Sequence, residues 1–216
     1  MLSNLPVLLD GLLVTLQLTV MATLLSWAGG LLILLSQLSA FRTIRIPGRI
    51  YISLMRGTPS LLQLFLIFFS LPLVGLEGMP MLAAVLALGL NSAAYVAEIL
   101  RANYRVVDPG QVEAAMAIGL SPLRTWLRIR LPQMITASRP ALINEFTILL
   151  KTTPLASVVA VTELTYSGQL ITARTFEATE VLLFVAAGYF VLAAPIILLG
   201  RKLQKSVQSP GGKGVS

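Results

Sequence analysis

Cysteine and histidine are both absent from the 216 residues. Without cysteine there are no disulfides and no thiolate metal sites, and without histidine the commonest general base and metal ligand is gone. Enzymatic chemistry by this chain alone is disfavoured. Charge is scarce as well: 12% of residues are Asp, Glu, Lys or Arg, against roughly 25% in a soluble domain, while 56% are hydrophobic and mean hydropathy is +0.85. The deficit is concentrated. Residues 11 to 41 and 181 to 200 hold no charged side chain, and each run supplies the ~20 residues that a spanning helix needs. Neither can be lipid-exposed loop, because unpaired backbone groups are too costly in hydrocarbon. The chain reads as a multi-pass membrane protein.

The first run lacks the basic flank of a signal peptide, since Asp10 precedes it and no Lys or Arg does, and it is about twice the usual apolar length. It reads as a retained helix. Net charge is +7, but its placement argues against a nucleic-acid partner. Arg42, Arg45 and Arg49 follow the first span; Arg101, Arg105, Arg124, Arg128, Arg130 and Arg139 lie in one central gap; Arg201, Lys202 and Lys205 follow the last span. Asp10, Glu77, Glu163, Glu177 and Glu180 fall mainly in the other gaps, with Arg174 the lone basic residue there. This segregation is what the positive-inside rule produces, with some attraction to membrane lipid.

Five spans fit, roughly 10 to 38, 53 to 71, 80 to 100, 140 to 162 and 180 to 200. Basic loops inside then put the N-terminus on the extracytoplasmic side and the loop 39 to 50, the segment 101 to 139 and the C-terminus in the cytoplasm. Residues 1 to 205 form one membrane domain. The stretch 206 to 216, with Pro210, Gly211, Gly212 and Gly214, reads as a disordered cytoplasmic tail. Gly29 and Gly30 in the first span permit close helix packing or a bend.

The segment between the third and fourth spans has helical grammar. Asp108 is an N-cap, Pro109 sits where a missing N–H does no harm, and Gln111 is placed to reach back as in a capping box. Gly119 ends that helix, Ser121-Pro122 starts a second one, and Pro132 stops it after Leu131. On the first helix Ala114, Ala115 and Ala117 allow close approach; the second sets Leu123, Trp126, Leu127 and Ile129 among arginines. Two readings stay open on these residues alone: a helix lying on the bilayer surface, or an element on which a partner docks.

Within the spans the polar residues stand out. Glu98 and Arg101 are spaced for an i, i+3 ion pair, and Arg56 reads as an interfacial anchor. Glu145 and Lys151 lie inside the fourth span, where ionisable groups are costly and tend to be functional. Six residues is about 600° of helix, so they do not share a face. Asn144, Glu145, Thr147 and Lys151, with Asn91 and Tyr95 on the third span, are the candidates for a solute path.

The spacing Glu113-Ala114-Ala115, Gly119, Ile129, Leu131-Pro132 resembles the EAA loop of membrane subunits of bacterial ABC importers. Arg56-Gly57-Thr58-Pro59, Leu61-Leu62-Gln63-Leu64-Phe65, Tyr95-Val96-Ala97-Glu98-Ile99-Leu100-Arg101 and Leu150-Lys151-Thr152 are similar to the polar amino acid permease branch. The resemblance runs from the first span to Lys205. It implies an all-α permease with about five transmembrane helices and a cytoplasmic coupling-helix hairpin between the third and fourth, resident in the bacterial inner membrane. It further implies a partner dimer of ATP-binding subunits that holds ATP and magnesium, a second permease chain, identical or homologous, and an extracytoplasmic solute-binding protein. This chain itself would bind no cofactor. By the same resemblance Glu113, Ala114, Ala115 and Gly119 are contact and hinge residues of coupling, with Ser121 and Pro122 continuing the loop. Two stretches depart from the pattern: Thr152-Thr153-Pro154-Leu155, where Pro154 disturbs the span, and Ala102-Asn103-Tyr104 after Arg101. The alternative from another class is a stand-alone oligomeric channel or secondary transporter whose hairpin is a membrane-surface element.

Overall fold

The computed structural model describes residues 4–208, and no β-strand forms among them. Helix α1 (Leu5–Leu38) is the long apolar N-terminal span. Its buried stripe includes Thr15, Leu18, Ala22, Gly30 and Leu34, the recurrence expected of one helical face. Two of its threonines bond to the preceding turn: Thr15 Oγ1 donates to the Gly11 carbonyl at 2.9 Å and Thr19 Oγ1 to the Thr15 carbonyl at 2.7 Å. Helix α4 (Pro80–Asn103) is the most enclosed span and packs along α1. Glycine makes that contact close on both sides. A methyl group at Gly30 would sit 2.5 Å from Val96 Cγ1, and one at Gly89 would sit 2.7 Å from a Leu25 methyl.

The second span is not the single helix over 53 to 71 that hydropathy suggests. Helices α2 (Arg42–Gly57) and α3 (Ser60–Ser70) meet at a 111° bend. Pro59 explains the break: it lacks a donor, and it forces Thr58 into extended backbone at φ −121°, ψ 149°. About half of α2, including Arg42, Arg45 and Arg49, comes from what reads in sequence as a loop.

Beyond α4, a 3-10 turn (Tyr104–Val106) leads to α5 (Pro109–Ala117). The chain turns at Gly119 and enters α6 (Pro122–Thr125), a π-helical turn (Trp126–Arg130) and α7 (Leu131–Thr152). Contrary to expectation, Pro132 does not stop the second arm. The backbone widens instead, the Leu131 N–H reaching the Trp126 carbonyl, and Pro132 falls in the first turn of α7, where its missing donor is harmless. Pro122–Val159 is thus one helical rod of 38 residues. Pro154 acts where expected, since α7 yields to a 3-10 helix (Thr153–Val159) one residue before it.

Residues 163 to 179, which read as a loop, contain α8 (Leu164–Thr175). At 12 residues it is too short to span. It packs back into the bundle through Leu164, Ser167, Gly168 and Ile171, beside Leu8 of α1 and Val181 and Val185 of the last helix. That last helix, α9 (Ala178–Gln208), is the most exposed span, showing Leu182, Leu183, Phe190, Val191, Leu198 and Leu199. It continues through 206–208, the first residues of the expected tail; 209–216 lie outside the described residues. Four helices are long and apolar enough to cross a membrane, five spans if the bent pair counts as one.

The α1–α4 contact makes a stability prediction. Gly30→Val is expected to lower stability by about 1–3 kcal/mol through overpacking against Val96, read as a lower unfolding temperature of the detergent-solubilised chain. Gly57→Ala, whose added methyl meets nothing within 4 Å, serves as the neutral control. Equal midpoints for the two variants would contradict the close packing.

Candidate functional site

The hairpin is built as its sequence grammar suggests, with one exchange. Asp108 Oδ1 accepts the Gly110 N–H at 2.7 Å and opens α5. The Gly119 N–H donates to the Met116 carbonyl and the Leu120 N–H to the Ala115 carbonyl, each at 3.0 Å, around a Gly119 φ of +84°. This double closure is a Schellman C-cap, and its left-handed residue favours glycine. Ser121 Oγ faces the Arg124 N–H at the start of α6. Gln111 does not serve as the reach-back half of a capping box. Its side-chain oxygen accepts from Gln133 Nε2 at 2.7 Å, which ties the two arms together.

Ala115 is buried between the arms, while Glu113, Ala114, Gly119, Ser121 and Pro122 are exposed. A cleft of about 480 Å³ lies between the arms, lined by Ala114, Ala115, Ile118, Leu120 and Ile129 among others. Ile118 is 79% and Leu123 66% exposed at the tip, so the hairpin offers apolar side chains beside Glu113, Arg124 and Arg128. Its base is clamped to the bundle. The Arg130 guanidinium stacks 4.8 Å from the Tyr104 ring centre and hydrogen-bonds to the Tyr104 hydroxyl.

The six candidates for the solute path separate into two groups. Asn91, Glu145 and Tyr95 serve helix contacts. Asn91 Nδ2 donates to the Met55 carbonyl at 2.9 Å and to Gln63 Oε1 at 3.0 Å. Gln63 Nε2 in turn donates to the Met55 carbonyl and to Thr58 Oγ1, at 2.9 and 2.7 Å. These two amides bridge the backbone break between α2 and α3. Glu145 is buried and accepts from Ser92 Oγ at 2.7 Å, joining α7 to α4. The Tyr95 ring lies under the Arg56 guanidinium, 5.2 Å away. Asn144, Thr147 and Lys151, on another face of α7, line a cavity of about 300 Å³ with Pro140, Ile197 and Arg201. Glu145 and Lys151 point to different surroundings, as their spacing requires.

Two polar groups escaped sequence reasoning. Gln63 was recoverable, being one amide within an otherwise apolar helix. Glu163 was not, because glutamate is a poor N-cap predictor and its position reads as loop. It is fully buried and accepts the Thr165 and Tyr166 N–H groups at 2.9 and 2.8 Å. The Tyr189 hydroxyl of α9 donates to the same carboxylate.

Long apolar helices with inward polar contacts and one capped projecting hairpin define a membrane transport subunit. The chain belongs to the family of binding-protein-dependent transport system inner membrane components, whose model matches residues 28–209. Within it, this is a permease of the amino-acid ABC importer type, a transport component of the inner membrane working with an ATP-binding subunit and a substrate-binding protein. It is 33% identical to the arginine transport system permease protein ArtQ of Bacillus subtilis, over 95% of this chain and 94% of that one. The L-cystine transport system permease protein TcyB of the same organism is 38% identical over 84% of this chain and 78% of its own length. The crystal structure of an amino acid ABC transporter with histidines matches at TM-score 0.86 and 36% identity, covering 95% of this chain and 96% of that one. The MetNI methionine transporter, at 20% identity and TM-score 0.77, shares the fold.

Glu163 yields a test. Glu163→Ala is expected to cost about 2 kcal/mol, since charge-assisted hydrogen bonds are lost and buried donors stranded, and to speed amide exchange at Thr165 and Tyr166. Glu163→Gln, retaining one acceptor, should fall between. Exchange at these two amides that is unchanged in Glu163→Ala would rule out the capping role.

Proposed function

We propose that the chain carries a polar amino acid inward by alternating access, as one of two permease chains driven by ATP on a pair of separate subunits. The observation that carries this is the continuity of the hairpin's second arm with α7. The part of this rod before the 3-10 helix, Pro122 to Thr152, is about 46 Å long at 1.5 Å per residue, well beyond the ~30 Å hydrocarbon layer. An arm that runs into a span without a break is held to that span rather than free to lie on the bilayer surface, which counts against the channel reading. A load applied to the tip is passed to α7 as a rigid body. Glu113, Ala114, Gly119, Ser121 and Pro122 are the surface for the ATPase groove, with Ala115 holding the arms together. ATP and magnesium belong to that partner, because this chain has no Gly-x-x-x-x-Gly-Lys phosphate loop. The clustering of arginines at the hairpin end supports a cytoplasmic hairpin and C-terminus and an extracytoplasmic N-terminus.

For the solute path we favour the cavity of Asn144, Thr147 and Lys151, with Arg201 at its inner end. Two cations suit the carboxylate that every amino acid carries, and two neutral polar groups suit its remaining hydrogen bonds. Asn91, Glu145 and Tyr95, engaged in helix contacts, shape the path from behind. The relatives are named for arginine, cystine and glutamine at 33%, 38% and 32% identity, so overall similarity does not select a solute among them.

Gly119→Asp is expected to cut solute-stimulated ATP hydrolysis of the assembled complex by about tenfold or more, the equivalent of ~1.4 kcal/mol of coupling, while the chain still inserts in the membrane. Uptake that persisted without any ATPase subunit would refute the importer mechanism. Lys151→Gln should raise the KM for uptake by about tenfold, the loss of one charge-assisted hydrogen bond, and leave basal hydrolysis unchanged. An unaltered KM would remove Lys151 from the path.

A further inference from the structure

Where the hairpin-side ends of α1, α2 and α4 converge, a polar cavity of about 650 Å³ remains that neither coupling nor the solute path uses. Its lining includes four arginines, Arg49, Arg56, Arg101 and Arg105, against the single carboxylate of Glu98. That carboxylate is already committed. Arg101 holds it by two hydrogen bonds of 2.8 Å, and Arg56 approaches to 3.7 Å while stacking on Tyr95. Arg49 and Arg105 have no carboxylate within ion-pair distance among the described residues, and with four arginines against one glutamate the lining carries a net charge of +3. Both side chains are exposed. Beside the Arg49 and Ser53 edge of α2 runs an apolar stripe, Ile46, Ile50 and Leu54, spaced i, i+4, i+8 and exposed along its length.

We propose that this cavity binds the phosphate of an anionic phospholipid, with Arg49 and Arg105 as its principal contacts and an acyl chain along Ile46, Ile50 and Leu54. Guanidinium groups meet phosphate oxygens in bidentate pairs, and basic pockets between spans at the headgroup level favour anionic lipids. A free phosphate would use the arginines alone. The adjoining apolar stripe offers a surface on which a tail can lie, which favours a lipid over a free phosphate or an acidic protein segment. The bound lipid would brace α2 against α4 next to the Thr58 break. The site requires only that this end of the bundle meets a headgroup layer, and does not depend on which solute is carried.

The test uses the full chain purified with its partner subunits, offered equimolar phosphatidylglycerol and phosphatidylcholine, with retained lipid read by native mass spectrometry. Phosphatidylglycerol should be preferred, and Arg49→Gln with Arg105→Gln should lower that preference about twenty-five-fold, each arginine near an anionic surface being worth about fivefold. Arg49→Lys with Arg105→Lys should keep most of it. A preference unchanged in the glutamine variant overturns the proposal. Displacement by inorganic phosphate alone would make it a free-anion site and overturn the lipid assignment. Loss of the ATPase subunit with lipid retention intact would assign the cavity to a protein contact instead. Should the glutamine variant fail to fold, the wild-type competition decides, and equal retention of the two lipids sinks the idea.

Discussion

Hydrocarbon offers no hydrogen bonds, so every backbone donor and acceptor in a membrane bundle must find its partner within the protein. Long helices meet the demand by themselves. Each place where this chain departs from the α-helix therefore needs a specific remedy, and those remedies account for many of its buried polar side chains. At Thr58-Pro59 the amides of Gln63 and Asn91 take up the Met55 carbonyl. At Pro132 no side chain is used; the backbone widens into a π turn that carries the helix past the missing donor. At the start of α8 the Glu163 carboxylate receives two backbone N–H groups. Within α1, Thr15 and Thr19 return their hydroxyls to the preceding turn.

This division of labour separates the polar groups that hold helices together from those that line cavities. Once Asn91, Gln63, Glu145 and Glu163 are committed to partners, polar groups that line cavities include those between α7 and α9 and the arginines at the hairpin end. The mechanical consequence is equally direct. Because the π turn keeps α6 and α7 in one rod, and Arg130 clamps that rod to Tyr104 at the end of α4, the hairpin has no loose joint with the spans. A load on its tip is passed along the rod to the wall of the α7–α9 cavity.

Much of the architecture was legible in the residues. The charge-free runs located α1 and α9, the apolar stretch from 80 to 100 located α4, and Asp108-Pro109, Gly119 and Ser121-Pro122 marked the hairpin, because caps and φ > 0 positions are local matters. Glu98 and Arg101 pair at the spacing that sequence alone suggests. Less accessible were the events that depend on neighbours. Proline in a helix reads as a stop, yet Pro59 produces a sharp bend and Pro132 is absorbed, the difference lying in what surrounds each backbone. Helix α8 was hidden because its composition is that of a loop, and its burial is decided by Leu8, Gly11, Val181 and Val185.

Composition and charge placement, acting through the bilayer's intolerance of unpaired and charged groups, settled by themselves that this is a multi-pass protein with its basic residues gathered at one end. Motif spacing settled the family. What only tertiary structure decided is the employment of each polar side chain: Asn91 and Glu145 bind neighbouring helices, while Asn144, Thr147 and Lys151 face a cavity. Helical periodicity tells which residues share a face. Whether that face meets lipid, another helix or open space is set by where the other helices pack.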